Sequence, residues 1–179
     1  KIVRTVDELS ACFRNGVLAM ALHIEGAEAI HESLANLGDF YEKGIRSVGI
    51  VWSRENAFGH GVPYRFPSSP DTGPGLTGAG RELVRQCNRL RMVVDTSHLN
   101  EKGFWDVARI SEAPLVASHS CVYELSRTPR NLTDRQLDAI GETGGIIGLN
   151  FCVGFIRADG WNTRDTPLED HIRHIAYIA

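Results

Sequence analysis

The sequence has few cysteines and no cysteine pair at metal-binding spacing. Its 179 residues contain four cysteines, Cys12, Cys87, Cys121 and Cys152, which lie far apart in the chain. This distribution excludes a disulfide-rich scaffold and a zinc site built from CxxC pairs. We therefore expect four reduced, mostly buried thiols, as in a cytoplasmic protein.

Long hydrophobic runs and an excess of charge of one sign are also absent. The longest apolar run, 17–24, is interrupted by His23 and is too short to span a membrane, and residues 1–9 lack the apolar segment of a signal peptide. The formal net charge of −3 provides no attraction to nucleic acid or to an acidic membrane surface. We expect a cytoplasmic globular protein with neither of these partners.

Sequence motifs of several enzyme classes are missing as well. No GxSxG segment marks a serine hydrolase, and no cysteine has a catalytic signature. The glycine-rich stretch 73–80 opens a predicted helix but fits neither phosphate-binding pattern, GxxxxGK[ST] or GxGxxG. Nucleophilic serine or cysteine chemistry and phosphate binding are therefore not expected.

Strand-like and helix-like segments alternate along the chain. The predicted strands are short and apolar, as in parallel sheets buried on both faces, and cover 17–24, 46–52, 91–96, 114–118 and 145–151. Helices are predicted at 33–43, 77–90, 100–108, 133–142 and from 166 onwards, the last with Pro167 at its first position. The pattern predicts one α/β domain over 1–179, built as an open sheet or as a barrel.

Three residues of metal-binding type follow different predicted strands. Glu25 ends the first strand, His98 follows the third and His119 follows the fourth. Functional residues of parallel α/β folds gather at the carboxyl ends of strands, and imidazole and carboxylate suit zinc and similar ions. On this pattern alone, a metal site and three unrelated hydrogen-bonded loop residues are equally supported.

Asp95 and the other histidines carry weaker signals. His23 shares a strand face with the strand-end glutamate and is expected to pack there without binding metal. Asp95 either orients a ligand or accepts backbone hydrogen bonds. His60 is expected on the surface, and His171 and His174 on a solvated or partly packed face of the last helix.

Several segments, in order along nearly the whole chain, resemble the motifs of the membrane (renal) dipeptidases, a family of zinc peptidases with soluble bacterial members. They read ALHIEG at 21–26, VDTSHL at 94–99, ASHS at 117–120, PRNLT at 129–133 and GGIIGLNF at 144–151. The resemblance implies a TIM-like (β/α)8 barrel with two zinc ions at its strand ends. Such barrels have about 250 residues, so this chain would supply a partial barrel of about five β/α units.

The resemblance also implies roles for individual residues. Glu25 matches the carboxylate that bridges the two zinc ions, and His98 and His119 match the histidines of the second ion. Arg130 matches the arginine that holds the carboxylate of the substrate. The first ion's own ligands, a His-x-Asp pair and an aspartate from the last strand, have no counterpart here. Trp52 stands where mammalian members place a substrate-contacting histidine.

The activity implied is hydrolysis of dipeptides by a water shared between the metals, with Glu25 as the catalytic carboxylate. D-residues at the C-terminal position of the substrate are kept open. Two alternatives remain: a remnant with one metal or none that binds a partner, and an amidase that acts on N-acyl amino acids or lactams. A dipeptide is the expected partner, and a homo-oligomer is left open.

Overall fold

A single parallel sheet, with its strands in sequence order, organises the molecule. The computed structural model describes all residues from Lys1 to Ala179. The strands are β1 (Leu22–Glu25), β2 (Ile45–Gly49), β3 (Val93–Asp95), β4 (Val116–Ser120) and β5 (Ile146–Leu149). Each strand pairs with the next one along the chain, as in a TIM-like barrel, whereas doubly wound sheets reverse their strand order. The prediction of an α/β fold with part of a barrel is confirmed.

Helices connect the strands and cover the sheet. They are α1 (Val6–Arg14), α2 (Leu37–Glu42), α3 (Gly78–Leu90), α4 (Glu101–Ile110), α5 (Asp134–Glu142), α6 (Val153–Ile156) and α7 (Leu168–Ile178), with one 3₁₀ turn at Ala27–Ala29. The side chains of Thr77 and Asn100 cap α3 and α4, and Thr133 forms a capping box at α5. These three helix starts were predictable because a cap depends only on residues within one turn.

Some predicted boundaries are wrong. Residues 17–21 lie outside β1, because pairing with β2 begins at Leu22. The first predicted helix, 33–43, starts at 37 and not at 33, since Leu34 has a left-handed backbone (φ 62°) that a helix cannot contain. Pro167 is the N-cap of α7 and not its first residue. Helices α1 and α6 were not expected.

The core lies between the sheet and the helices that pack on it. Twenty buried apolar residues form one cluster, which includes Val48 of β2, Val94 of β3, Leu83 of α3 and Phe104 of α4. Three of the four cysteines are buried and all four are free. None of the helices combines the length and hydrophobicity that a membrane crossing needs.

Candidate metal centre

The ends of three strands bring Glu25, His98 and His119 together. The Nε2 atom of His98 lies 2.9 Å from Oε1 of Glu25 and 2.9 Å from Nε2 of His119. The Nε2 atom of His119 lies 3.1 Å from the same carboxylate oxygen. The chain separates Glu25 from His98 by 73 residues, so only the parallel sheet makes this cluster possible. Their role as metal ligands stays a prediction.

The three residues fit a divalent cation. One potential ligand atom from each lies within 4.8 Å of the others. Around a tetrahedral zinc ion with bonds of about 2.0–2.1 Å, neighbouring ligand atoms are separated by roughly 3.3 Å. The observed separations of 2.9 to 3.1 Å are close to that spacing. Two imidazoles and a carboxylate are also the ligand types that zinc accepts.

Burial keeps both histidines neutral. Desolvation is the main cause that lowers the pKa of His98 to about 3; the charge of Arg130 and the neighbouring His119 act in the same direction, and the charge of Asp95 opposes them. Desolvation and the charge of Arg130 also lower the pKa of His119. A neutral imidazole has a lone pair on one ring nitrogen, which is the form that binds metal.

Serine hydroxyls contact the opposite ring nitrogens of the two histidines. The Oγ of Ser53 lies 2.6 Å from Nδ1 of His98, and the Oγ of Ser118 lies 2.7 Å from Nδ1 of His119. Sequence reasoning missed both serines. Ser118 directly precedes His119 and could have been noticed, whereas nothing in the sequence connects Ser53 with a histidine 45 residues away.

Asp95 lies behind this cluster, and the expected hydrogen bonds from backbone donors are observed; its alternative role of orienting a ligand stays a prediction. It accepts hydrogen bonds from the backbone N–H of Ser97 (3.0 Å) and of Ser118 (2.9 Å), and the hydroxyl of Ser118 also donates to it. Burial opposes ionisation of Asp95, but the hydrogen bonds outweigh burial and lower its pKa. The carboxylate thus satisfies backbone donors and also contacts the serine that holds His119.

The remaining histidines lie outside the cluster. The Nδ1 atom of His23 lies 2.9 Å from the hydroxyl of Ser47 and its Nε2 lies 3.8 Å from Asp95, but His23 stays partly exposed and is not packed away as expected. His60 is half-buried beside Glu55 and is not a plain surface residue. A solvated or partly packed face was expected for His171 and His174; both are buried where α7 packs against the rest of the chain, so the solvated alternative is wrong.

Arg130 is buried next to the cluster and is not a surface residue. Its Nη2 donates to the carbonyl of His119 (2.8 Å) and its Nη1 to the hydroxyl of Ser120 (3.3 Å). Its Nε is buried without a hydrogen-bond partner. Burial lowers the pKa of the guanidinium. An unpartnered, charged donor in this position is suited to an anionic group such as a carboxylate.

Aromatic rings line the space between the two histidines and Arg130. The ring of Trp52 lies 5.7 Å from that of His98 and 5.7 Å from that of Tyr64. Tyr64 stacks on Phe155 at 6.0 Å, and the guanidinium of Arg130 lies 5.4 Å above the Phe155 ring. Trp52 therefore lines this space with an apolar ring at the position where mammalian members of the similar family place a histidine.

Comparisons with known proteins find relatives that are similar over almost the whole chain. The chain is 50% identical over 178 residues to an uncharacterized protein of Klebsiella pneumoniae. The aligned region covers 99% of this chain and 66% of that protein. It is 35% identical over 182 residues to an uncharacterized dipeptidase of Schizosaccharomyces pombe, covering 100% of this chain and 43% of that protein.

A solved structure is similar over almost the whole chain. It is a metallopeptidase from Rhodobacter sphaeroides liganded with a phosphinate mimic of the dipeptide L-Ala-D-Ala. The TM-score is 0.98 at 52% identity, and the match covers 99% of this chain and 51% of that one. The chain thus spans about half to two thirds of the length of its more similar relatives.

The family model for membrane dipeptidases matches every residue from 1 to 179. This match covers the sheet, the long loop after β2 and the cluster at the strand ends. The chain therefore belongs to the membrane dipeptidase family, peptidase family M19.

Proposed function

We propose that the chain is part of a zinc-dependent dipeptidase, with residues 1–179 forming part of one barrel domain. The convergence of Glu25, His98 and His119 beside the buried Arg130 carries this proposal. The dipeptide mimic bound by the Rhodobacter relative and the name of the Schizosaccharomyces relative support it. Because the chain spans only part of these relatives, the activity is proposed for the whole protein.

Glu25, His98 and His119 would hold a zinc ion, which supplies Lewis-acid polarisation of a carbonyl and lowers the pKa of a bound water. The two neutral histidines provide lone pairs at Nε2. Glu25 faces both of them through Oε1, and its side chain is 43% exposed. Its second oxygen is therefore available to a further ion or to a proton released by the attacking water.

Arg130 would hold the C-terminal carboxylate of the substrate. Its unpartnered Nε is buried, and its Nη2 is bonded to the backbone of the candidate ligand His119. Because Arg130 contacts the backbone of a candidate metal ligand, a substrate that reaches both the metal and the guanidinium would be a short peptide. The rings of Trp52 and Tyr64, 5.7 Å apart, would form one side of the space between Arg130 and the two histidines. We include a D-residue at the C-terminal position, on the support of the L-Ala-D-Ala mimic in the relative.

The test is the substitution His119→Ala. We expect bound zinc to fall below one equivalent per chain by elemental analysis, and dipeptide hydrolysis to be lost, because removal of one ligand breaks the shell. His31→Ala is the matched control, since His31 is exposed and its side chain makes no contact with the cluster. Unchanged zinc content in His119→Ala would show that His119 is not a ligand.

A substrate panel separates this proposal from its alternatives. Dipeptides with L- or D-residues at the C-terminal position are compared with N-acyl amino acids and lactams, using the zinc-loaded protein. Cleavage of dipeptides supports the proposal. Turnover of N-acyl compounds without cleavage of any dipeptide replaces it with an amidase. Zinc binding without turnover of either class replaces it with a binding remnant.

A further inference from the structure

Each candidate ligand histidine is held at the nitrogen that points away from the cluster. Ser53 contacts Nδ1 of His98 at 2.6 Å and Ser118 contacts Nδ1 of His119 at 2.7 Å. A partner at one imidazole nitrogen sets the tautomer and the ring orientation, and so determines what the other nitrogen offers a metal. In both histidines the other nitrogen, Nε2, faces Glu25.

The direction of the bond to His119 follows from Asp95. The hydroxyl of Ser118 has a single proton, and it donates that proton to the carboxylate of Asp95, which is 1% exposed. The Oγ of Ser118 can therefore only accept from His119, so Nδ1 of His119 carries the proton. The lone pair is then on Nε2, on the side of Glu25.

The pair formed by Ser53 and His98 lies in strained backbone. Both residues have positive φ angles, 44° and 70°, which residues other than glycine rarely adopt. The surroundings hold this conformation, because the carbonyl of His98 accepts a hydrogen bond from the N–H of Val62 (3.0 Å). Gly61 lets the segment before Val62 approach the backbone of Ser53 and Arg54, since a Cβ at position 61 would lie 2.5 Å from the backbone nitrogen of Arg54. Such strain is typical of functional sites.

We propose that Ser53 and Ser118, the latter supported by Asp95, are positioning residues that direct the Nε2 lone pairs of His98 and His119 toward the metal. This inference rests on the proposed function, because it presumes that the two histidines bind the ion. It assigns a role to the loop after β2 as well, since that loop supplies Ser53 and clamps the backbone of His98.

The experiment compares Ser118→Ala and Ser53→Gly with Ser47→Ala. Glycine at 53 removes the hydroxyl and adopts positive φ freely, so it separates the hydroxyl from the strain. Ser47→Ala is the matched control, because Ser47 makes the same kind of contact with Nδ1 of His23 (2.9 Å), which lies outside the cluster. The zinc affinity of the metal-free protein is measured by competition with a chromophoric chelator. The coordination geometry in the Co²⁺-substituted protein is followed by its visible absorption spectrum.

We expect Ser118→Ala and Ser53→Gly each to weaken zinc binding about 10- to 100-fold and to change the Co²⁺ spectrum. Ser47→Ala should leave both measurements unchanged. Ser118→Thr should restore most of the affinity, because threonine keeps the hydroxyl and suits a strand. Thermal unfolding of each metal-free variant verifies that it is folded.

Three results would overturn the inference. Any one of them is sufficient: a wild-type zinc affinity in both Ser118→Ala and Ser53→Gly, an equal loss of zinc affinity in Ser47→Ala, or no recovery of zinc affinity in Ser118→Thr. If His119→Ala still loses zinc in that experiment, the proposed function stands and only the positioning role fails. If His119→Ala retains zinc, the proposed function itself fails.

Discussion

At the scale of single residues, Arg130 is the least ordinary side chain in the molecule. It is buried, yet it lies within 4 Å of no carboxylate, and its hydrogen bonds go to a carbonyl and a hydroxyl. A buried charge without a counterion is costly. A ligand with a negative charge would supply the missing counterion and offset this cost. The burial of Arg130 therefore supports its proposed role in binding the carboxylate of the substrate.

Arg130→Lys should therefore raise KM for dipeptides more than it changes kcat. Lysine keeps the charge but loses the planar fork of donors, and a hydrogen bond to a charged group contributes about 1.5–3 kcal/mol. That range corresponds to roughly tenfold or more in affinity. Steady-state kinetics on a dipeptide measure the change.

A dipeptide amide provides the comparison for this prediction, because it lacks the C-terminal carboxylate. The exposed Arg127, which pairs with Glu124 at 3.6 Å, provides the control variant Arg127→Lys. If Arg130→Lys impairs the dipeptide and its amide to the same degree, the guanidinium does not recognise the carboxylate.

At the scale of elements, the pairing of β4 with β5 shapes the site. The register between these strands shifts between Ala117 and Ser120, the segment that contains Ser118 and His119. Gly148 of β5 makes this possible, because a Cβ there would lie 1.9 Å from the carbonyl oxygen of Ser118. Position 148 therefore requires glycine because the backbones of β4 and β5 approach each other closely there.

Gly148→Ala should push the backbone of Ser118 away from β5. We expect a loss of about 1–3 kcal/mol in the free energy of unfolding, measured with urea, and weaker zinc binding because His119 moves with its strand. Gly141→Ala is the control, since Gly141 lies in α5 with no atom within 4 Å of an added Cβ.

The control variant should be neutral or up to about 1 kcal/mol more stable, as expected for alanine in a helix. Equal stability and equal zinc affinity of Gly148→Ala and the wild type would contradict the steric argument. A loss of stability without a loss of zinc affinity would show that β5 does not position His119.

At the scale of the whole molecule, His174 ties the last helix to the site end of the sheet. It is fully buried; its Nδ1 accepts from the N–H of Val122 (3.0 Å) and its Nε2 donates to the carbonyl of Ile156 (2.9 Å). These bonds connect α7 with the segment after β4 and with α6. Burial is the main reason why the pKa of His174 is lowered from 6.5.

Stability should accordingly decrease as the pH falls below about 6.5. In that range the unfolded chain takes up a proton at position 174 while the folded protein does not, so protonation favours unfolding. His98, with its pKa lowered to about 3, contributes in the same direction. Urea unfolding of the metal-free protein at pH 7.5 and at pH 5.5 (about one unit either side of that value) measures the slope.

The substitution His174→Gln isolates the contribution of this residue to the pH dependence of stability. The variant should be about 2 kcal/mol or more less stable at neutral pH, because the two backbone groups lose well-placed partners. It should also lose less stability than the wild type between the two pH values. An unchanged pH slope would mean that His174 does not cause it, and the exposed His31→Ala variant should retain the wild-type slope.

Local patterns in the sequence were sufficient for much of this architecture. The alternation of apolar runs and capped segments predicted the α/β class and the starts of α3, α4 and α5, because these features depend on neighbours in the chain. The same reasoning placed Glu25, His98 and His119 at strand ends. It failed at Leu34, which lies in a turn closed by a hydrogen bond from its N–H to the carbonyl of His31, and at Pro167, whose extended backbone precedes the first helical residue.

The sequence by itself determined the kind of elements, the residues at the strand ends and, through resemblance, the family. Only the tertiary structure decided how these residues act together. The contact of Ser53 with His98 joins residues 45 apart in the chain, and the bond of Ser118 to Asp95 joins residues 23 apart. The burial of Arg130 likewise depends on how its surroundings pack. No local pattern specifies such contacts, because they arise when parallel strands and the loop after β2 pack against one another. The three ligands predicted from strand ends thus become an oriented cluster only in the folded chain.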